Sequence, residues 1–399
     1  MQSSISGKVS DSLADKTVVL AVTGSIAAVR TLDLVRDLIR RGAKVHCVMS
    51  AAAQQIIHPH ALEYASSNPV ITEITGMVEH VALLGDDGEA DALLIAPATA
   101  NTIGKVALGI DDTPVTTFAT TAIGSGKAVM VVPAMHEAMY RHPAVLRNLE
   151  SLKAMGAIVV DPRLEEGKAK IAENSRIALE MERMLGPRTL EGKRILITSG
   201  ATAERIDPIR ILTNRASGRT GVELALEAYR RGAMPTVVHR ARLGLPFPEI
   251  YVECAAEMLE AVLCELDSGY HAMISAAAIG DYTIEESSTK IKSGGDLSLC
   301  LVPTVKVVKT ARLAHPDLVI AGFKAETNLS EEELLSRARE SMIASGLDLM
   351  IANDVGAGGM GTEENRVYIL GGKGSQIQAT GRKSLIARRI LDALEEVLR

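Results

Sequence analysis

Three features of this sequence predict an α/β chain folded as two Rossmann-like, doubly wound parallel-sheet domains. The apolar run KTVVLAVTGSIAA (16–28) enters a Gly-Ser turn. A helical pattern through Leu32, Val35, Leu38 and Ile39 follows, then a glycine stop and the second run RRGAKVHCVMS, the order of an opening βαβ unit. This plan recurs: LEGKRILITSG echoes LADKTVVLAVTG, and RRGAMPTVV echoes RRGAKVHCV. At 399 residues the chain exceeds one typical domain. The Gly-Pro stretch GPRTLEGK sets the expected boundary, giving domains 1–186 and 187–399.

Along the first half, TGSIAA lacks the G-x-G-x-x-G spacing of a dinucleotide loop. Gly24 and Ser25 still open a helix whose N–H groups suit a single phosphate, or form a structural turn. Ser50 ends the second strand, and DALLIAPATAN (91–101) supplies a third that delivers Thr99 and Asn101 to the same crevice. The run KAVMVV (127–132) reads as a buried strand ended by Pro133, which has no backbone donor. Met135, His136, Met139 and Tyr140 then lie where a parallel sheet places ligands, although an ordinary strand-to-helix turn reads the same way. A helix (144–155), the strand AIVVD, a charged stretch PRLEEGKAKIAENSR (162–176) and a helix from Ser175 to Leu185 complete this half.

The second half inserts ATAERIDPIRILTNRA before its first helix. Asn214, Ser217, Gly218 and Arg219 therefore precede a helix starting near Thr220, where N–H groups and a guanidinium converge on phosphate or carboxylate. HAMISAAAIGDYTI (271–284) reads as a buried strand ending near Asp281, with Lys290 and Lys292 in the loop beyond. LVIAGFKAETN carries Phe323 and Glu326, and LDLMIANDV ends in Asn353 and Asp354. GAGGMG (356–361) matches G-x-G-x-x-G but leads into a strand-like run, so it reads as a mobile loop rather than a dinucleotide fingerprint. The terminal SLIARRILDALEEVL is an amphipathic helix expected to cover the second sheet.

Composition narrows the function. With 47% hydrophobic residues, a net charge of −6, no Trp and three Phe, the chain has neither a basic field nor stacking platforms, which argues against a nucleic-acid partner. Its four cysteines are scattered without a C-x-x-C pair, which argues against a zinc site or disulfide framework and fits a reducing cytoplasm. The opening MQSSISGKVSDSLADK is polar and reads as a frayed lead-in, and no apolar run suggests a membrane partner.

The stretch VVPAMHEAMY resembles the Pro-Ala-Met-Asn motif of the flavin-dependent cysteine decarboxylases, with His136 in the Asn place. ILTNRASGRTG is similar to the ligase motif Ile-Ser-Asn-x-Ser-Ser-Gly-Lys-x-Gly, with Arg219 for Lys, and AAAIGDY, KIK and GFKAET follow in the same order. Together these resemble the bifunctional phosphopantothenoylcysteine decarboxylases and phosphopantothenate–cysteine ligases of coenzyme A biosynthesis. The resemblance implies a decarboxylase domain (1–186) that holds FMN with Gly24, Ser25, Ser50, Thr99 and Asn101. It also implies His80 as the active-site histidine and Met135, His136 and Met139 at the substrate. The flavin's chemistry would be oxidation of the substrate thiol, so that the resulting thioaldehyde takes up the electrons as carbon dioxide leaves.

For the ligase domain (187–399) the resemblance implies an acyl-nucleotide made from CTP, or from ATP, with Mg²⁺ on the phosphates through ligands it does not name. Asn214 would stabilise that intermediate, and Lys290 would meet the phosphates. Ser217, Gly218, Arg219, Asp281, Phe323, Asn353 and Asp354 would bind nucleotide. Trimeric decarboxylase contacts and dimeric ligase contacts imply a homo-oligomer such as a dodecamer. Two departures stand out. Bacterial members carry a Cys in the flap, whereas 162–176 has none and its EEGKAK is similar to archaeal members. Ser341 and Ser345 stand where the family has two lysines. These departures leave two rivals: a ligase with an FMN-binding but impaired decarboxylase domain, and a non-catalytic flavoprotein regulator.

Overall fold

A computed structural model describes residues 8–356 and 364–399. The chain divides into two compact units, Met1–Gly186 and Pro187–Arg399. Most of the GAGGMG loop and the first seven residues lie outside the described residues.

The first unit is built on β1 (Thr17–Val22), β2 (Lys44–Met49), β3 (Val70–Ile71), β4 (Ala92–Ala98), β5 (Ala128–Pro133) and, after the two-residue strand β6 (Met135–His136), β7 (Ile158–Val159). Six of these form a parallel sheet in the order β3-β2-β1-β4-β5-β7. The helices are α1 (Thr31–Arg40), α2 (Ala51–Gln54), α3 (Pro59–Ser66), α4 (Glu79–Leu84), α5 (Ala100–Ala107), α6 (Pro114–Gly124), α7 (Glu137–Tyr140), α8 (Pro143–Ala154) and α9 (Asn174–Leu185). The central strand shows why the sheet is covered on both faces. Val18, Leu20 and Val22 point into one apolar cluster with Leu34, Leu38 and Met181, while Val19 and Ala21 point into another with Phe118 and Leu149. Each of the buried Val, Leu, Met and Phe side chains is worth about 1.5–3 kcal/mol relative to exposure.

Two expectations change here. Pro133 does not end its ladder: the register shifts between Ile95 and Ala98, Pro133 pairs opposite Ala98, and the Ala134 N–H donates to the Ala98 carbonyl at 3.0 Å. The shift places the imide where no donor is required. The lead-in is docked from Val9 onward, because Leu13 is fully buried and its N–H donates to the Arg41 carbonyl at 2.9 Å. One apolar side chain in a polar stretch suffices to anchor it.

The charged stretch after β7 folds into a hairpin, β8 (Arg163–Glu165) and β9 (Lys168–Lys170), and β9 pairs antiparallel with β6.

The second unit contains β10 (Arg194–Ser199), β11 (Ala203–Arg205), β12 (Ile211–Thr213), α10 (Arg219–Arg230), β13 (Met234–His239), β14 (Glu249–Tyr251), α11 (Ala255–Leu266), β15 (Ala272–Ser275), β16 (Tyr282–Thr283) and β17 (Val302–Pro303). It continues with α12 (Val307–Ala314), β18 (Val319–Glu326), α13 (Glu331–Ser345), β19 (Leu349–Asp354), β20 (Glu364–Gly371), β21 (Gln376–Arg382) and α14 (Lys383–Leu398). Its main sheet runs β14-β13-β10-β15-β18-β19-β20-β21. The strands are parallel through β19, and β20 and β21 close the edge antiparallel. The insert before α10 is the β11–β12 hairpin.

The terminal helix buries Ile386, Ile390, Leu391 and Leu394 in the same cluster as Leu224 and Ala228 of α10. Arg231, just past α10, pins the pair. It binds Glu227 at 3.0 Å and Asp392 and Glu395 of α14 at 2.9 and 2.8 Å. Deleting Glu227 or Glu395, the buried partners, costs about 3–5 kcal/mol.

Candidate functional sites

In the first unit the carboxyl ends of β1, β2 and β4 each run into a helix N-terminus capped by a predicted hydroxyl. Ser25 accepts from the Ala27 N–H at 3.4 Å, Ser50 from Ala53 at 3.3 Å and Thr99 from Thr102 at 3.3 Å. Thr23 ties two of these ends together: its Oγ1 donates to the Pro97 carbonyl at 2.6 Å and accepts from the Thr99 N–H at 3.1 Å. Gly24 is required by close approach, since a Cβ there would sit 2.5 Å from Ala52 Cβ. The result is a backbone-lined edge able to receive a flat, anionic group. Asn101 lies exposed in the first turn of α5.

Beside this edge a cavity of about 380 Å³ lies under the hairpin, lined among others by Ser25, Arg30, Met135, His136, Lys168 and Lys170. Arg163 also lines it, and none of the lining side chains is a carboxylate. The hairpin is held by pairing of Met135 with Ala169 and of His136 with Lys168. Glu173 bridges Arg30 at 2.6 Å and Arg163 at 2.8 Å.

Of the other predicted residues, Met139 is 51% exposed and outside this cavity, because a four-residue helix turns it to solvent. Tyr140 packs on the core instead. His80 sits in the first turn of α4 with its ring edge-on to Phe118, centroids 6.3 Å apart. Its Nδ1 is buried without a hydrogen-bond partner, and it does not line the cavity. The hydrogen bond from the Lys170 ammonium to Glu166 (2.8 Å), helped by Glu165 (3.3 Å), holds its pKa above the ordinary lysine value.

In the second unit, a cavity of about 610 Å³ opens at the carboxyl edge of the sheet. Its walls include Ser217, Gly218 and Arg219 at the start of α10, Asp281, Phe323 and Asn353. Ser199, at the end of β10, positions the helix start by donating to the Gly218 carbonyl at 2.8 Å. Ser341 and Ser345 face the cavity from α13. Lys306, Lys309, Lys324 and Lys383 line it as well. The sequence reading missed these four, although Lys306 and Lys309 stand three apart, on one side of a helix start.

Lys306 pairs with Asp281. Asn214 lies just outside the lining, its Nδ2 donating to the Ala278 carbonyl at 3.1 Å. Asp354 serves a turn instead, accepting from the Gly356 and Asn328 N–H groups at 2.8 and 3.2 Å. Lys290 is exposed and does not line the cavity. The neighbouring Ile291 is held by buried Asp207 (3.2 Å) and by Arg210 (3.1 Å).

Among the described residues no cluster of metal-ligating side chains occurs, and no helix is long and apolar enough to cross a membrane. The four cysteines are free, and burial pushes the Cys47 thiol up to about 12, so it is inert.

Fold and sites define a two-unit α/β protein with an anion-receptive cleft at the carboxyl edge of each sheet. Residues 6–185 match the family model described as Flavoprotein, and residues 190–398 that described as DNA/pantothenate metabolism flavoprotein C-terminal domain. The chain is 48% identical to the coenzyme A biosynthesis bifunctional protein CoaBC of Thermococcus kodakarensis, covering 97% of this chain and 96% of the relative. It is 38% identical to the same-named protein of Methanocaldococcus jannaschii, covering 99% and 97%. A solved C-terminal domain of a CoaBC protein aligns with 53% of this chain and 98% of its own, at 29% identity and a TM-score of 0.45.

The chain belongs to the CoaBC family of coenzyme A biosynthesis bifunctional proteins. It is a bifunctional flavoprotein enzyme with decarboxylase and ligase activities, and its substrates are phosphopantothenate and cysteine.

Proposed function

We propose that the second unit couples phosphopantothenate to cysteine through an acyl-nucleotide formed from CTP, with ATP as the alternative donor, and that the first unit decarboxylates the product with FMN. The observation that carries this reading is the cation-rich cavity at the start of α10, where Arg219, Lys306, Lys309, Lys324 and Lys383 surround one glycine-capped helix end. A carboxylate resists attack by an amine until its oxygen becomes a leaving group. Joining it to a nucleotide brings several negative charges together, which helix N–H groups and cations stabilise in place. Mg²⁺ would ride on the phosphates. Asn214, donating to the Ala278 carbonyl, would steady the activated acyl group.

In the first unit Ser25, Ser50, Thr99 and Asn101 would hold FMN, and the Gly24 cradle and surrounding cations fit its phosphate. The cofactor would supply the two-electron chemistry that makes carbon–carbon cleavage feasible. The hairpin pairs with Met135 and His136 at the cavity wall, and Lys168 stands in it as a proton source where no cysteine lines the cavity. His80, with an orphan Nδ1 beside exposed Met77 and Val81, is read as part of a site completed by another copy in a homo-oligomer, with trimeric first-unit and dimeric second-unit contacts up to a dodecamer.

Purified protein given phosphopantothenate, cysteine and CTP should be yellow and form phosphopantetheine. Accumulation of phosphopantothenoylcysteine alone would favour the impaired-decarboxylase reading. No turnover with either nucleotide would overturn the proposal.

A further inference from the structure

Where α10 meets α14, the large cavity continues into a side cavity of about 390 Å³, and Ser217, Arg219 and Lys383 line both. Arg219 is the first residue of the twelve-residue α10 and Lys383 the first of the sixteen-residue α14, so two helix N-termini open onto one place. The Lys383 side chain is unusual in its setting. The residue is only 7% exposed. It makes no hydrogen bond or ion pair with the described residues, and burial first, then Arg219, lower its pKa, opposed only by Glu223.

A lysine ordinarily lets its stem lie on apolar surface while the ammonium reaches water. Here α14, pinned to α10 by Arg231, holds the ammonium against a second cation. The side cavity is lined by three cations, Arg219, Arg382 and Lys383, and one carboxylate, Glu223, with hydroxyls from Ser217 and Ser384. Holding an ammonium at a cavity wall beside a guanidinium is costly unless an anion joins them.

We infer that Lys383 and Arg219 form a phosphate subsite at the inner end of this cavity, contributed by a substrate of the ligation. Two helix ends, two cations and two hydroxyls suit a tetrahedral, multiply charged group with several acceptor oxygens better than a carboxylate. That phosphate is either the monoester of the acid substrate or one from the nucleoside triphosphate. The inference rests on the ligase reading of this cavity.

The test uses full-length protein as parent, Lys383→Met, which keeps the stem without the charge, and Lys383→Arg, which keeps the charge. Pyrophosphate binding by calorimetry reads the subsite without turnover. The parent should bind it, Lys383→Met at least about 10-fold more weakly, and Lys383→Arg close to the parent. In ligation, Lys383→Met should raise KM for one phosphate-bearing substrate by about 10- to 100-fold, with a smaller change in kcat and no change in KM for cysteine. A shift in KM for phosphopantothenate assigns the monoester, and a shift in KM for nucleotide assigns the triphosphate. Unmoved pyrophosphate affinity and KM values in Lys383→Met overturn the inference. So does a uniform loss with lowered Tm that Lys383→Arg fails to rescue. If the parent binds pyrophosphate through Lys383 yet ligates nothing, the subsite stands and the ligase reading falls.

Discussion

Replacing Gly221 by alanine sets two opposite effects against each other. In an open helix the change gains about 0.5–1 kcal/mol from reduced chain entropy. Here the added Cβ would lie 2.5 Å from both Cβ and Oγ of Ser199 and 3.1 Å from its Cα. Ser199 ends the central strand β10 and is 1% exposed, so the neighbour cannot swing aside. Overpacking of this kind costs about 1–3 kcal/mol. Displacing the Ser199 hydroxyl from the Gly218 carbonyl, now 2.8 Å away, costs about 1 kcal/mol more.

The clash outweighs the entropy, leaving a net loss of about 1–3 kcal/mol, or a fall of roughly 2–12 °C in the Tm of a unit this size. The start of α10 should shift with it, raising KM for nucleotide while flavin absorbance stays unchanged. Scanning calorimetry of the full chain and ligase kinetics read both effects. Ser199→Gly in the same background should restore much of the loss, as expected for residues in contact. As a control, Gly124→Ala at the end of α6, where nothing lies within 4 Å of the new Cβ, should be neutral or slightly stabilising. A Gly221→Ala variant as stable as its parent would refute the packing argument.

Three further outcomes are expected. Asn214→Asp exchanges the donor facing the Ala278 carbonyl for a charge beside an anionic intermediate, so phosphopantothenoylcysteine formation should fall by about 100-fold or more while FMN colour persists. An unchanged ligation rate removes Asn214 from the mechanism. Lys168→Met should preserve carbon dioxide release but yield product lacking two hydrogens. Lys170→Met should have the smaller effect, because its ion pairs with Glu165 and Glu166 stabilise the protonated form. Mass spectrometry of the thiol product decides this, and fully reduced product from both variants at the parent rate returns the proton source to water or His136. Residues 1–186, expressed alone, should purify yellow or take up added FMN; a folded but colourless fragment refutes the assignment of the Ser25, Ser50 and Thr99 edge.

Local pattern alone was enough for the βαβ order and the amphipathic last helix, whereas the run of motifs from Asn214 to Asn353 was read from resemblance to the ligase family. Buried parallel strands need unbroken apolar runs, and helices on glycine turns need caps, so both leave marks on adjacent residues. Ser25, Ser50 and Thr99 were legible for that reason: each is a cap at a strand's end. What depends on distant chain was not legible. Met139 has helical spacing from His136, yet a four-residue helix turns it outward. Lys290 and Asp354 belong to recognisable motifs, but neither reaches the cavity, whereas Lys306, Lys309, Lys324 and Lys383 do so from three separate elements. A lysine's sequence neighbours do not say where its flexible stem will end, and only the packing of α10 against α14 brings Lys383, 164 positions after Arg219 (383 minus 219), to the same cavity wall. Sequence by itself determined the class of fold and the chemistry on offer, because periodicity and capping are short-range. The tertiary structure decided which charges meet, because convergence is set by how distant elements pack.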